Sequence, residues 1–195
     1  MQEESKKNIK GIKVLFGGSF NPPTKAHYEI AKEVIDKFEV KEFVFLPTGN
    51  VYNKPNLIEC KQRIAMLDLL CKKLTNASVS DYEMKQDVYL GTYKTLEHFK
   101  GFYFLMGADN FITLHQWINY PNVIINNKFI VVERNNIDLN EYINKHLDVK
   151  NNIKNFLFYE DFKQIDISSS KFNQTKDYSL LLEEVADYII NHNLY

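Results

Sequence analysis

Apolar and polar positions along the chain follow two different spacings, and these spacings predict its secondary structure. Short apolar runs bounded by glycine, proline or charge predict strands, and apolar residues spaced three and four apart predict helices. The predicted strands cover residues 12–17, 42–47, 77–83, 102–107, 128–134 and 156–159. The predicted helices cover residues 25–38, 58–74, 92–100, 108–117, 138–147 and 178–192, and a further helix begins at 168–170. Strands and helices therefore alternate along the chain.

This alternation predicts an α/β fold that is built on a mainly parallel sheet. Right-handed crossovers place the loops that follow the strands at one edge of such a sheet, where ligands bind. Four polar or glycine-bearing segments follow predicted strands, at 17–27, 47–56, 107–117 and 134–137. We expect the first three of them to line a single cleft.

Composition narrows the class of protein further. The length of 195 residues suits one domain over 1–195, with 1–10 as a flexible lead-in. The net charge of −1 gives no general attraction to nucleic acid or to a membrane surface, so phosphate binding must be local. We expect no signal peptide and no membrane span, because no apolar run is suited to either. The spacing of Cys60 and Cys71 matches neither a metal motif nor a disulfide framework, and we expect both to be buried near one face of a helix. Cysteines that stay reduced are typical of a cytoplasmic protein.

The stretch at 12–27 is the most informative local feature of the chain. An apolar strand ends in Gly-Gly-Ser at 17–19, turns through Asn-Pro-Pro at 21–23, and enters a helix near Thr24. Glycine lets a ligand approach the backbone and a helix N-terminus offers unpaired N–H groups, so this corner suits a phosphate. Thr24 and His27 share one face of the first helical turn, from which both can donate hydrogen bonds. A tight turn with Thr24 as the N-cap and His27 packed on the helix explains the same residues equally well.

Motifs in order along the whole chain resemble one enzyme family. GGSFNPPTKAHY at 17–28 is similar to the [H/T]xxH signature of the nucleotidyltransferase α/β-phosphodiesterase superfamily. Within that superfamily the chain resembles the nicotinate/nicotinamide mononucleotide adenylyltransferases. The other matching segments are PTGNVYNKPNLI at 47–58, LMGADNFITLHQW at 105–117, KFIVVER at 128–134, IDISSSKFN at 165–173 and YIINHNLY at 188–195.

The resemblance implies a Rossmann-like, doubly wound sheet with helices on both faces. It also implies the transfer of AMP from ATP to a pyridine mononucleotide with release of pyrophosphate, by in-line attack and without a covalent enzyme intermediate. Mg²⁺ is the implied cofactor, held mainly by the ATP phosphates and water. The chain length resembles that of bacterial members and favours nicotinate mononucleotide as the acceptor. Thr24 and the TGNVY segment resemble the eukaryotic type of the family, so the acceptor stays a choice between the two mononucleotides. We prefer nicotinate narrowly. Whether the chain forms a homo-oligomer stays open.

The same resemblance implies a role for individual residues. His27 and Thr24 are the implied catalytic residues, and His27 is the principal donor to the transition state. The implied ATP-binding residues are Gly17, Gly18, Ser19, Phe20, His27, Gly107, Asp109, Ser168, Ser169 and Lys171. The implied acceptor-binding residues are Lys54, Thr92, Thr95, Trp117, which would stack on the pyridine ring, and Arg134.

Several of these residues also have a purely structural interpretation. Lys54 resembles an ordinary solvated loop charge, and Trp117 resembles a core residue. Asp109 and the serines at 168–170 are suited to be helix N-caps, and Arg134 could cap the sheet.

One position departs from the family pattern. The ISSTxIR motif ends in arginine, but this chain has Asn173 there. Asparagine is uncharged and cannot form the paired hydrogen bonds by which an arginine guanidinium binds a triphosphate. Lys171 or Lys176 would therefore have to take the place of the arginine. The departure raises the alternative of a nucleotide-binding regulator without catalysis. A second alternative is a sister enzyme, such as pantetheine-phosphate adenylyltransferase or a cytidylyltransferase; Trp117 argues against the former.

Overall fold

The computed structural model describes residues 9–52, 54–133, 137–159 and 167–195. Within these ranges one sheet is formed by β1 (Lys13–Gly18), β2 (Glu42–Pro47), β3 (Ala77–Val79), β4 (Phe102–Gly107), β5 (Lys128–Val132) and β6 (Phe156–Tyr159). The strands lie in the order β3-β2-β1-β4-β5-β6, and every neighbouring pair is parallel. This order is that of the doubly wound Rossmann-like fold, so the predicted α/β class is confirmed.

The helices connect the strands and cover the sheet. They are α1 (Lys25–Lys37), α2 (Cys60–Cys71), α3 (Thr92–His98), α4 (Ala108–Phe111), α5 (Asn122–Ile125), α6 (Leu139–Lys145), α7 (Leu147–Asn151), α8 (Ser169–Thr175) and α9 (Glu183–Asn191). Short 3-10 turns lie at Glu83–Lys85, Leu114–Gln116, Ile153–Asn155 and Tyr178–Leu180. In the described part of the chain we find no helix with the length and apolarity that a membrane crossing requires.

The two faces of the sheet carry separate hydrophobic cores, as side chains alternate along each strand. Val14 and Phe16 of β1 point into a core shared with α1, α2, α8 and α9. Leu15, between them, points into a core on the opposite face that is shared with α3 to α7. Helices on both faces were predicted from the resemblance, and the two cores confirm them.

Three predicted elements differ from the observed ones. The strand predicted at 77–83 ends at Val79, and Glu83 begins the 3-10 turn Glu83–Lys85. The single helix predicted at 108–117 is divided into α4 and the 3-10 turn Leu114–Gln116. Phe111 and Leu114 are both buried and lie three apart, a spacing that suits a 3-10 turn as well as an α-helix.

The helix predicted at 178–192 is also divided. The consecutive residues Leu180 and Leu181 are both buried, and Leu181 is extended, so the helix α9 begins only at Glu183. Of the two cysteines, Cys60 is buried as predicted, and Cys71 is partly buried. Burial raises the pKa of the Cys71 thiol to about 12.

Candidate active site

A cleft of about 600 Å³ opens at the carboxyl ends of β1 and β4. These two strands are neighbours in the sheet but are not consecutive in the chain, so this is the point where the strand order reverses. Ligands of doubly wound sheets bind at this position. The segments after β1, β2 and β4 all contribute to the lining, which confirms the predicted shared cleft.

Most of the residues implied by the resemblance meet in this cleft. The lining includes Gly17, Gly18, Ser19, Phe20, His27, Lys54, Thr92, Gly107, Asp109, Trp117, Ser168 and Ser169. Gly17 makes room for the ring of Phe104, because a Cβ atom on Gly17 would lie 2.6 Å from Cζ of Phe104. Gly17 and Gly18 are the last residues of β1, so they bring bare backbone to the floor of the cleft.

Three of the implied residues lie elsewhere. Thr24 is fully buried behind His27, and Thr95 is buried against Glu83 in a smaller neighbouring pocket. Lys171 lies in the first turn of α8, outside the lining of the cleft. Arg134 lies outside the described residues.

The imidazole of His27 is oriented from one side by the N-cap of its own helix. The backbone N–H of Thr24 donates to Nδ1 of His27 over 2.9 Å, and Oγ1 of Thr24 lies 2.9 Å from the same nitrogen. Because Nδ1 accepts a backbone hydrogen bond, the neutral ring carries its proton on Nε2. The ring also packs against Phe16 and Phe20, with centroid distances of 6.1 and 5.1 Å. His27 is therefore a fixed hydrogen-bond donor that lines the cleft.

Arg63, which is not among the predicted site residues, holds the loops around the cleft together. Its fully buried guanidinium donates to three carbonyl oxygens, those of Ser19 (2.8 Å), Thr48 (2.6 Å) and Ile58 (2.9 Å). Burial lowers the pKa of Arg63. The signal was present in the sequence: helical spacing places position 63 on the buried face of α2 with Leu67, where a lone arginine must find partners.

Lys54 reaches across the mouth of the cleft from the loop after β2. Its Nζ donates to Oγ of Ser19 over 2.8 Å. The pKa of Lys54 is lowered, mainly by partial burial and to a smaller extent by the nearby positive charge of Arg63. A phosphate at this point would supply the negative charge that two neighbouring cations favour. Lys54 is exposed, as the structural interpretation predicted, and its contact with a phosphate stays a prediction.

A half-buried carboxylate, also not among the predicted site residues, supports the loop after β2. Glu83 accepts a hydrogen bond from the hydroxyl of Thr95 over 2.9 Å and another from the N–H of Gly49. A Cβ atom on Gly49 would collide with the carbonyl oxygen of Glu83, so the two segments approach through glycine. Burial raises the pKa of Glu83. Beside this contact, Tyr52 and Tyr89 pack edge to face, 5.1 Å apart, and both line the cleft.

Trp117 forms the far wall of the cleft. It is partly buried, and its ring packs perpendicular to Phe104 with a centroid distance of 5.9 Å. The indole ring therefore lines the cleft and is packed in place by Phe104. Such an aromatic surface suits stacking on a flat ring. Asp109 lies inside α4, whose N-cap is Gly107, so the alternative that Asp109 caps this helix is wrong.

The turn at 21–23 is tied to α8. Oγ of Ser169 donates to the carbonyl oxygen of Pro22 over 2.8 Å, and Nδ2 of Asn173 donates to that of Asn21 over 2.9 Å. Ser168 accepts from the N–H of Lys171 and is the N-cap of α8, as the structural interpretation predicted. Asn173 thus supports the turn.

Lys176, one of the two lysines that could have taken the place of the motif arginine, contacts aromatic rings. It lies at the C-terminus of α8 in a left-handed conformation. Its Nζ lies 5.7 Å from the ring centroids of both Phe172 and Tyr195.

Known proteins are similar to this chain over nearly its whole length. Residues 15–175 match the family described as Cytidylyltransferase-like. The probable nicotinate-nucleotide adenylyltransferase of Acholeplasma laidlawii is 35% identical over 190 residues, covering 93% of this chain and 96% of that protein. The corresponding protein of Clostridium acetobutylicum is 31% identical over 196 residues, covering 94% and 98%.

Solved structures show the same fold. Plasmodium falciparum nicotinic acid mononucleotide adenylyltransferase complexed with APC is 22% identical with a TM-score of 0.76, and covers 95% of this chain and 97% of that one. The same enzyme complexed with NaAD is 24% identical with the same TM-score and coverage. Together with the cleft and its residues, these matches show that the chain belongs to the cytidylyltransferase-like family and, within it, to the nicotinate-nucleotide adenylyltransferases.

Proposed function

We propose that this protein transfers AMP from ATP to nicotinate mononucleotide, forming nicotinate adenine dinucleotide and releasing pyrophosphate. The observation that carries the proposal is the cleft at the β1/β4 switch point, which brings His27, Lys54, Asp109 and Trp117 together. The relatives of 31–35% identity are named for this reaction, and the solved neighbours carry APC and NaAD.

In the proposed reaction a phosphate oxygen of the mononucleotide forms a bond to the α-phosphorus of ATP. The bond from that phosphorus to the bridging oxygen breaks, and pyrophosphate leaves with its electron pair. No proton has to be removed from the nucleophile, since a phosphate monoester is already an anion at neutral pH. Catalysis then consists of placing two polyanions in line and stabilising charge on the transferred group.

The chain's own residues suit these tasks. The bare backbone of Gly17 and Gly18 lets the triphosphate approach the end of β1. Nε2 of His27, with its proton fixed by the contact at Nδ1, would donate to an oxygen of the transferred phosphate. Lys54 would contact the acceptor's phosphate, and Asp109 would accept hydrogen bonds from ribose hydroxyls. Trp117 would stack on the pyridine ring.

Mg²⁺ fits this donor set as an ion held mainly by phosphates and water. Within the described residues no group of three His, Cys, Asp or Glu side chains converges to hold a metal ion. Mg²⁺ that is bound to a nucleotide usually keeps water and phosphate ligands, so it needs few ligands from the protein. When bound, it would neutralise charge on the pyrophosphate leaving group.

Turnover with defined acceptors tests the proposal. The protein is incubated with ATP and MgCl₂ and with nicotinate mononucleotide, nicotinamide mononucleotide or phosphopantetheine, and pyrophosphate and product mass are measured. We expect pyrophosphate and the dinucleotide mass with nicotinate mononucleotide, and slower turnover with the amide. ATP binding without turnover of any acceptor would overturn the proposal in favour of a regulator. Preferential turnover of phosphopantetheine would assign the sister activity instead.

A further inference from the structure

The side chain of Asn21 is a buried junction beside the cleft. It is 3% exposed, and its Nδ2 donates to the carbonyl oxygen of Asn56 over 2.9 Å. Its Oδ1 accepts from the N–H of Ile58 over 3.2 Å and from the hydroxyl of Tyr195 over 2.9 Å. An amide oxygen has two lone pairs, so both acceptor positions of Asn21 are used. One side chain thus joins the turn at 21–23 to the loop before α2 and to Tyr195.

This junction lies next to the residues that orient His27. Phe20, which precedes Asn21, has a φ of +45° and is buried with its ring against His27. A left-handed conformation is unfavourable for a bulky residue and persists only where the surroundings enforce it. Three residues after Asn21, Thr24 donates to Nδ1 of the same imidazole. A shift of Asn21 would therefore move both contacts that fix the ring.

Tyr195 does not line the cleft, so its effect on the site would pass through Asn21. Its ring packs on Phe172 of α8 with a centroid distance of 5.7 Å. The same helix holds the carbonyl oxygens of Asn21 and Pro22 through two of its side chains. Because burial raises the pKa of Tyr195, its hydroxyl stays protonated and remains a donor at neutral pH.

We propose that Tyr195 is a positioning residue for adenylyl transfer: its hydroxyl, through the amide of Asn21, holds the turn that fixes His27 against the transferred phosphate. The inference rests on the proposed function of the cleft and extends it to a residue that touches neither substrate. It predicts an effect on kcat, through the position of His27, that is larger than the effect on the binding of ATP.

A matched pair of variants tests the inference. Tyr195 and Tyr178 both pack edge to face on Phe172, at 5.7 and 5.4 Å, and Tyr195 also donates to Oδ1 of Asn21. Tyr195→Phe should lower kcat about tenfold, since small displacements of a catalytic group are costly, while the KM values for both substrates change less than about threefold. Tyr178→Phe should leave kcat and both KM values as in the wild type. Each kcat is normalised to the number of ATP-binding sites, so loss of folded protein does not count.

A double-mutant cycle supplies the second measurement. If the hydroxyl acts through Asn21, Tyr195→Phe should have no further effect on kcat in the Asn21→Ala background. If the wild type is active and the two variants Tyr195→Phe and Tyr178→Phe have the same kcat, the inference is wrong and the proposed function still stands. A Tyr195→Phe defect that appears only as fewer ATP-binding sites would also overturn it. If Asn21→Ala does not fold, the comparison of the two tyrosines decides alone.

Discussion

The backbone N–H of Thr24 donates to Nδ1 of His27 over 2.9 Å, so the residue that caps α1 also orients the imidazole three positions later. The structural interpretation of this turn is therefore confirmed, because Thr24 is the N-cap of α1, and the role of His27 in catalysis stays a prediction. The cap fixes which nitrogen of the ring accepts, and this leaves Nε2 as the donor. Thr24 itself is fully buried, so it would act on the substrate only through His27.

His27→Ala should fold normally and lose about 100- to 1,000-fold in kcat, which is the usual effect of removing one preorganised donor from a transition state. ATP affinity should change little, because the donor is needed most when charge develops. Steady-state kinetics and isothermal titration with ATP measure the two effects. His192→Ala, at an exposed imidazole outside the cleft, is the control. Near-normal kcat in His27→Ala would show that this ring does not serve the reaction.

Thr24→Val should retain kcat to within about tenfold of the wild type. The variant keeps the backbone N–H that donates to Nδ1 and loses only the hydroxyl, which is one hydrogen bond of modest net energy. The kcat of this variant is measured beside that of His27→Ala. A loss in Thr24→Val as large as that in His27→Ala would mean that the hydroxyl has a direct role in the chemistry.

The acceptor's KM should depend on pH through Lys54. The lowered pKa of Lys54 means that it loses its proton at a lower pH than an ordinary lysine, and the neutral amine binds phosphate poorly. The KM for nicotinate mononucleotide should therefore rise as the pH increases towards 10. Lys54→Arg, whose side chain stays charged, should remove this rise. Lys54→Met should raise KM about tenfold near pH 7, the loss of one charge-assisted bond. A rise that persists in Lys54→Arg would assign the titration to another group.

The sequence predicted those parts of the site that depend on strand ends. Gly107 and Trp117 could be placed because they follow an apolar run, and in a parallel sheet the ends of all strands meet at one edge. His27 could be placed because helical geometry fixes its direction relative to the preceding strand.

The residues that the sequence did not reveal act through contacts between distant segments. Arg63 meets Ser19 from 44 positions away, and Tyr195 meets Asn21 from 174 positions away. The burial of Arg63 follows from its helical spacing, but the partners of Arg63 and Tyr195 have no local pattern, since they depend on how loops pack after the sheet has formed. The role of Asn173 is of the same kind: the sequence shows that an arginine is missing, and only the fold shows the hydrogen bond to Asn21.

Glu83 should make the stability of the protein depend on pH. Burial raises the folded-state pKa of Glu83 above its unfolded value, so its stabilising contribution is present below about pH 4.5 and is lost as the pH rises through the folded pKa. Glu83→Gln keeps an oxygen for Thr95 and Gly49 and does not ionise. The free energy of unfolding of the wild type, measured in urea, should therefore fall relative to that of Glu83→Gln between pH 4 and pH 7. A difference that is constant over this range would contradict the prediction.

Arg63→Met should destabilise the protein by about 3 kcal/mol, because it leaves three carbonyl oxygens of the cleft loops without their buried donor. Arg63→Lys should recover only part of this loss, since one ammonium cannot match the planar guanidinium that spans all three. Urea denaturation measures both, with an unchanged m-value indicating a true change in stability. Lys61→Met on the same helix is the control, because that side chain is 67% exposed. A loss below about 1 kcal/mol in Arg63→Met would mean that water replaces the guanidinium at little cost, and that the loops are held mainly by their other contacts.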